Sequence, residues 1–166
     1  LEGDDAASFT MEGSYLTFTG PANYEIQNSY KVDVIVTDAT GATDKAELTI
    51  PVANVNEDPE LTSEASDTVA ENLPATTAIY TASATDQDAG DAANIDFSIT
   101  SNADDDSDKV SIDESTGVVT LNSSADYETQ SSYTFEVVAT DPLGLTDSKT
   151  VTVSVEDVIE KYGDNP

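Results

Sequence analysis

Asp86-Gln87-Asp88 sets two carboxylates on one side of an extended segment, because side chains at i and i+2 of a strand share a face. Asn54-Val55-Asn56-Glu57-Asp58-Pro59 concentrates amide, carboxylate and backbone oxygens in consecutive residues. Oxygen-only groups of this kind suit a hard cation. Ca²⁺ takes about six to eight oxygens, usually from several loops and often with a bidentate Glu. Neither cluster supplies that many alone; together they would. The run Asp104-Asp105-Asp106-Ser107-Asp108 lacks the glycine and the terminal glutamate of an EF-hand and reads as a solvated loop.

Other chemistries are narrowed by what the chain lacks. Without His, a histidine-based active site is impossible, and without Cys no disulfide stabilises the fold. The acids fall at loop tips rather than among aromatics, and there is no Trp and one Met, so an enclosed glycosidase-type site is the weakest reading and no enzyme is expected. The 34 Asp and Glu against 5 Lys and Arg leave a formal charge of −29, which repels phosphate backbones and anionic membranes. No apolar run reaches membrane-spanning length. Such self-repulsion opposes compaction unless cations neutralise part of it. Hydrophobic residues still make up 37% of the chain and gather in strand-like runs, which argues against disorder.

The elements that must hold these acids repeat. Sliding Asn23–Glu57 onto Asp126–Glu160 by 103 residues, without a gap, gives 15 identities in 35 positions, among them Tyr24/Tyr127, Glu25/Glu128, Tyr30/Tyr133, Asp38/Asp141 and Glu57/Glu160. A period near one hundred residues is too long for a solenoid unit and about the size of one β-sandwich. Period-two alternation marks strands at Tyr30–Val36 and Ala46–Val52, joined by Asp38-Ala39-Thr40-Gly41; the second copy has Tyr133–Thr140 and Thr150–Val155, joined by Asp141-Pro142-Leu143-Gly144. Both connections suit type I turns. Ahead of the second hairpin, Asp67–Ala70, Ile79–Thr85, Ile95–Ile99, Val110–Ile112 and Val118–Leu121 bring the total to about seven short strands, with helix nearly absent.

The expected fold is therefore all-β, an immunoglobulin-like Greek-key sandwich in tandem. Residues 58–160 form one complete repeat, residues 1–57 the C-terminal part of its predecessor, and residues 161–166 the start of a next linker or a tail. Phe9–Met11 and Tyr15–Phe18 match Val110–Ile112 and Val118–Leu121, with nothing matching the earlier strands. The chain reads as a piece excised from something longer, with neither a basic region nor an apolar signal core at its start. Tyr24/Tyr127 and Tyr30/Tyr133 are expected to pack in the core or at the sandwich edge.

Five motifs in order at repeat spacing make the chain resemble the cadherin repeat, in the divergent form found in large bacterial surface adhesins. They are Glu71-Asn72, Asp86-Gln87-Asp88, Asp126-Tyr127-Glu128, Ala139-Thr140-Asp141 and the linker Asn54–Pro59. The resemblance implies Ca²⁺ at the junction of consecutive repeats. It assigns Glu25, Asn54, Asn56, Glu57 and Asp58 from the first copy and linker, and Asp86, Asp88 and Asp141 from the second. A further set, Glu71, Asp126, Glu128, Asp157 and Glu160, would face a following repeat, while the first copy's upper half-site is reduced to Asp38. Departures are Asn23 and Asn54, where acids are usual, and Ile159 and Lys161, where oxygen donors are usual. The function implied is a Ca²⁺-stiffened spacer or adhesion module, secreted or at the cell surface, whose partners are neighbouring repeats of the same polypeptide. The alternative is a calcium-dependent carbohydrate- or protein-binding module, homophilic contact included, for which Tyr15, Phe18, Tyr24 and Tyr80 are the aromatic candidates.

Overall fold

The computed structural model describes residues 1–159. The chain folds as two compact units, one of Leu1–Asn56 and one from Glu57 onward. Among the described residues, the helical segments are two 3₁₀ turns, Ala6–Ser8 and Ser107–Lys109.

In the first unit β1 (Phe9–Glu12) pairs with β2 (Tyr15–Phe18), and β3 (Ser29–Thr37) pairs antiparallel with β4 (Thr43–Pro51) along its whole length. Its core is small and aromatic. Phe9 and Val32 are buried, and the Phe9 ring lies 4.5 Å from Phe18 and 5.9 Å, edge-on, from Tyr30. Such tilted and edge-to-face contacts suit ring quadrupoles.

The second unit holds β5 (Glu60–Leu61), β6 (Ser66–Ala70), β7 (Ala78–Thr81), β8 (Ala84–Thr85), β9 (Asp96–Ile99), β10 (Val110–Ile112), β11 (Val118–Leu121), β12 (Ser132–Thr140) and β13 (Thr146–Glu156). One sheet runs β6-β13-β12-β9 and the other β10-β11-β7, with β5 and β8 as a separate short ladder. Strict alternation along β12 buries Tyr133, Phe135, Val137 and Ala139, as the period-two pattern requires. Across the ladder Phe135 faces Val151 and Tyr133 faces Val153, and Val119 joins them from the other sheet in one fully packed core. Each such side chain contributes about 1.5–3 kcal/mol on burial.

Three expectations need correcting. Ile79–Thr85 is not one strand: it breaks at Ala82 and Ser83, so that β7 pairs with β11 while β8 pairs with β5. The Ala82 N–H donates to Gly117 O (2.9 Å) and Ser83 O accepts from Thr62 N (2.8 Å), which turns the chain from one ladder to the other. The last strand starts at Thr146 rather than Thr150, because its pairing with β12 continues to the turn, Thr140 opposite Thr146.

The third correction concerns Asp106, which is an anchor and not a member of a solvated loop. Its Oδ2 accepts the Thr134 N–H (2.9 Å), and its Oδ1 accepts from Gln130 Nε2 (2.8 Å) and Lys109 Nζ (2.7 Å). The first unit builds the same staple on Asp5, with Lys31 N (2.7 Å) and Gln27 Nε2 (2.9 Å) as donors.

The two hairpin turns are built alike. Asp38 Oδ1 accepts from Thr40 N and Ala42 N, as Asp141 Oδ1 does from Leu143 N and Leu145 N. Gly41 and Gly144 sit at φ +87° and +94°, a region that glycine enters without a Cβ penalty.

Candidate metal centres

One acid group lies wholly within the second unit. β6 runs parallel to β13, with Val69 opposite Val155 and Ala70 opposite Glu156, so the chain leaves β6 beside the end of β13. Asn72 then adopts φ 63°, a left-handed conformation that Asn tolerates better than most residues, and its N–H donates to Ala125 O (3.0 Å). That turn leaves Glu71 only 3% exposed. Its Oε2 accepts the Tyr127 N–H (3.0 Å) and its Oε1 the Val158 N–H (2.7 Å). Ligand oxygens of Glu71, Asp126 and Glu128 all lie within 4.8 Å of one another.

Asp126 opens a tight turn, its backbone O accepting from Gln130 N (2.9 Å) and its carboxylate from Thr129 N (3.1 Å) and Thr129 Oγ1 (2.9 Å). In the first unit Asn23 makes the same turn, with Oδ1 accepting from Ile26 N (2.9 Å) and O from Gln27 N (3.0 Å). An amide oxygen caps the turn as well as a carboxylate does, and what Asn23 gives up is the charge. Asp157 is exposed just past β13 and stands outside the 4.8 Å group. Glu160 lies outside the described residues, as do residues 161–166.

A second acid group gathers where β8 ends. The Asp88 N–H donates to Asp86 Oδ1 (2.8 Å), a local turn that fixes the motif, and Asp88 Oδ2 accepts the Glu57 N–H (3.1 Å). Asp88 and Asp141 are buried, while Asp58 is exposed. Asp86 Oδ2 is buried with no hydrogen-bond partner. A buried carboxylate oxygen in that condition is strongly unfavourable unless a cation or proton compensates it.

Asp91, which sequence reasoning missed, joins this group. Its N–H donates to Asp88 O (3.0 Å), and its carboxyl is pushed above the usual value by burial and then by the charges of Asp88, Asp86 and Asp141. The available signal was its place three residues past Asp88, at the end of the short run Asp86-Gln87-Asp88-Ala89-Gly90-Asp91. Glu25, Asn54 and Asn56 belong to the first unit.

Neither group is neutralised by the lysines whose contacts are seen. Lys45 pairs with Asp33 and Glu47, Lys109 with Asp106, and Lys149 Nζ donates to the carbonyls of Leu61 and Ser63. Hard oxygen donors, near-complete burial of Glu71 and the uncompensated Asp86 oxygen fit a divalent hard cation and no softer metal. Of the four aromatic candidates, Tyr80 is buried with its hydroxyl on Ser63 and Glu64 O, and Phe18 packs on Phe9 and Tyr30; Tyr15 and Tyr24 remain exposed.

Two mostly antiparallel sheets packed on one core, with carboxylates at strand ends, define a β-sandwich repeat of immunoglobulin-like build. The cadherin domain model matches residues 66–156, over half the sequence, and the chain belongs to that family. It is similar to Protocadherin Fat 2 of Mus musculus, 33% identical over 156 residues, covering 91% of this chain and 4% of that protein. It is also similar to the human Cadherin EGF LAG seven-pass G-type receptor 2, 30% identical over 155 residues, covering 92% of this chain and 5% of that protein. Among solved structures, the Protocadherin gammaB7 EC3-6 cis-dimer superposes with a TM-score of 0.67 at 25% identity, over 94% of this chain and 40% of that one. The chain thus spans a small fraction of the curated relatives it matches. No helix among the described residues is long and apolar enough to cross a membrane.

Proposed function

We propose that this chain is a Ca²⁺-binding extracellular cadherin repeat array that serves as a stiffened spacer and adhesion module in a large secreted or cell-surface adhesin, and that it is not an enzyme. The observation that carries the reading is Glu71, sunk to 3% exposure with Asp126 and Glu128 oxygens within 4.8 Å. The acidic, cysteine-free composition supports an adhesin of the bacterial type, although the relatives cited above are metazoan.

At the junction, Glu25, Asn54, Asn56, Glu57, Asp58, Asp86, Asp88 and Asp141 are the proposed ligands, with Asp91 adding charge. At the other end Glu71, Asp126 and Glu128 form the base of a site that Asp157 and Glu160 would complete toward a following repeat. A bound Ca²⁺ supplies the positive charge that apposed carboxylates lack. The protein's own part is to fix those carboxylates: the Tyr127 and Val158 amides aim Glu71, and the Asp86 turn aims Asp88. The linker residues lose conformational freedom when their oxygens are held, and successive repeats are then kept in line.

Titrating Ca²⁺ into chelator-treated protein by calorimetry and small-angle X-ray scattering tests this. Binding heat and a longer, stiffer particle are expected, with loss of the stiffening and of the junction's share of the heat in Asp86→Ala and Asp88→Ala; Glu71→Gln should remove binding at the other group only. Absence of heat with unchanged scattering would sink the reading. A second reading, calcium-dependent contact with another protein, including a second copy, is favoured over carbohydrate binding: one similar solved structure is a cis-dimer, Tyr80 is buried, and the half-buried Phe18 ring is engaged by Phe9 and Tyr30.

A further inference from the structure

The shortest ladder of the second unit carries the acid group at the end of β8. β5 follows Glu57-Asp58-Pro59 and β8 runs into Asp86-Gln87-Asp88. The two strands pair antiparallel, Glu60 opposite Thr85 and Leu61 opposite Ala84. Continued ahead of Glu60, that register sets Glu57 against Asp88, and there the Glu57 N–H donates to Asp88 Oδ2 (3.1 Å). A slip of one residue would turn every side chain of β5 to the other face and part these acids. Two residue pairs, with the Thr62 N–H on Ser83 O (2.8 Å) beyond them, hold such a register only marginally by themselves.

β13 supplies what the ladder lacks. Alternation along β13 puts Asp147 and Lys149 on the face of Val151, Val153 and Val155. Asp147 Oδ2 accepts the Leu61 N–H (2.8 Å), and Lys149 Nζ donates to Leu61 O (2.6 Å) and Ser63 O (2.8 Å). The N–H and C=O of Leu61, which alternation turns away from β8, are thus taken by β13 side chains in place of a backbone ladder. Leu61 is only 4% exposed, so leaving either group unanswered would be costly. The same positions of β4, 103 residues earlier, are Asp44 and Ala46, and β4 still pairs with β3 along its whole length. The hairpin itself therefore does not require the lysine.

We propose that Asp147 and Lys149 are positioning residues for the acid group at the end of β8: they hold β5 in the register that brings Glu57 onto Asp88, and so set the affinity of Glu57, Asp86 and Asp88 for Ca²⁺. The assignment rests on that group holding Ca²⁺, as proposed above. The sign of the effect separates positioning from charge. By charge alone, removing a positive side chain strengthens cation binding. By loss of the grip on β5, the same removal weakens it.

A Ca²⁺ titration of the chelator-treated full chain tests it, followed by NMR at the Glu57 amide and at the Tyr127 amide, which donates to Glu71. In Lys149→Met the Glu57 midpoint is expected to move to about tenfold higher Ca²⁺, as for partners that orient metal ligands, with the Tyr127 midpoint unchanged. Asp147→Ala should follow Lys149→Met, and Asp147→Asn, whose amide oxygen still accepts the Leu61 N–H, should restore most of the loss. An unchanged or lowered Glu57 midpoint in Lys149→Met overturns the proposal. So do equal shifts at both amides, which would make the grip a matter of general stability. No response of the Glu57 amide in the parent protein sinks the reading of that group as a cation site, and the proposal with it.

Discussion

A single carboxylate, that of Asp106, ties its own segment to the entry of β12 at Gln130 and Thr134, and its removal should be felt throughout the second unit. Asp106→Ala deletes acceptors for Thr134 N, Gln130 Nε2 and Lys109 Nζ, and is expected to lower stability by about 2 kcal/mol in urea unfolding. Burial alone would push the Asp106 carboxyl up, but the hydrogen bonds from Lys109, the Thr134 N–H and Gln130 hold it below the ordinary value. A depressed folded pKa stabilises above the unfolded value, near 3.8, and that contribution fades as pH falls through the folded value. The acid limb of a stability–pH curve below about pH 4 should therefore be shallower in Asp106→Asn than in the parent. An unchanged slope would remove Asp106 from the set of acid-labile groups. At this scale the sequence was legible where a motif is local. Glu71-Asn72, Asp86-Gln87-Asp88 and Asp126-Tyr127-Glu128 stood out because each is a run of consecutive residues that, in order, resembles the cadherin repeat. Asp106 and Asp91 were misread or missed because their partners come from segments distant in sequence or from tertiary convergence, which no spacing records.

Among the strands, the sheet crossing after β7 has a narrow steric tolerance. Gly117 lies at φ +68°, and a Cβ built there would sit 2.5 Å from Ala82 O, the residue at which the chain passes from one ladder to the other. Gly117→Ala should cost about 3 kcal/mol, from left-handed strain and from displacement of backbone that cannot yield without breaking the Ala82 to Gly117 hydrogen bond. Gly41→Ala, also at positive φ but with nothing within 4 Å, should cost only the conformational part, about 1 kcal/mol. Equal thermal shifts for the two variants would contradict the crossing as the source of the difference. Period-two alternation made β3, β12, β10 and β11 readable almost to the residue, while the second strand of each hairpin begins earlier than it read, at Thr43 rather than Ala46 and at Thr146 rather than Thr150. It failed at Ile79–Thr85, since apolar alternation continues through Ala82 while the hydrogen-bond partner changes, and hydrophobicity carries no record of which ladder a strand joins.

For the molecule as a whole, the question is whether a charge of −29 is merely tolerated or is matched by ions at defined places, and salt separates the two. Diffuse repulsion among solvated carboxylates is relieved by any electrolyte, because the Debye length falls to about 8 Å at 0.15 M ionic strength. Specific sites answer to mass action instead. Ligand at about one hundred times its dissociation constant stabilises by about 2.7 kcal/mol, which for a domain near one hundred residues raises the melting temperature by roughly 10 °C. With ionic strength fixed by NaCl, millimolar Ca²⁺ is therefore expected to raise the melting temperature of chelator-treated protein by that order, and Glu71→Gln should reduce the gain. Proteolysis within Asn54–Asp58 should slow in parallel, since those residues supply oxygens in the proposed junction. If NaCl alone reproduces the whole stabilisation and Glu71→Gln leaves it intact, the carboxylates act as a solvated surface. The burial of Glu71 beside Asp126 and Glu128 would then be a structural device held by the Tyr127 and Val158 amides rather than a metal centre.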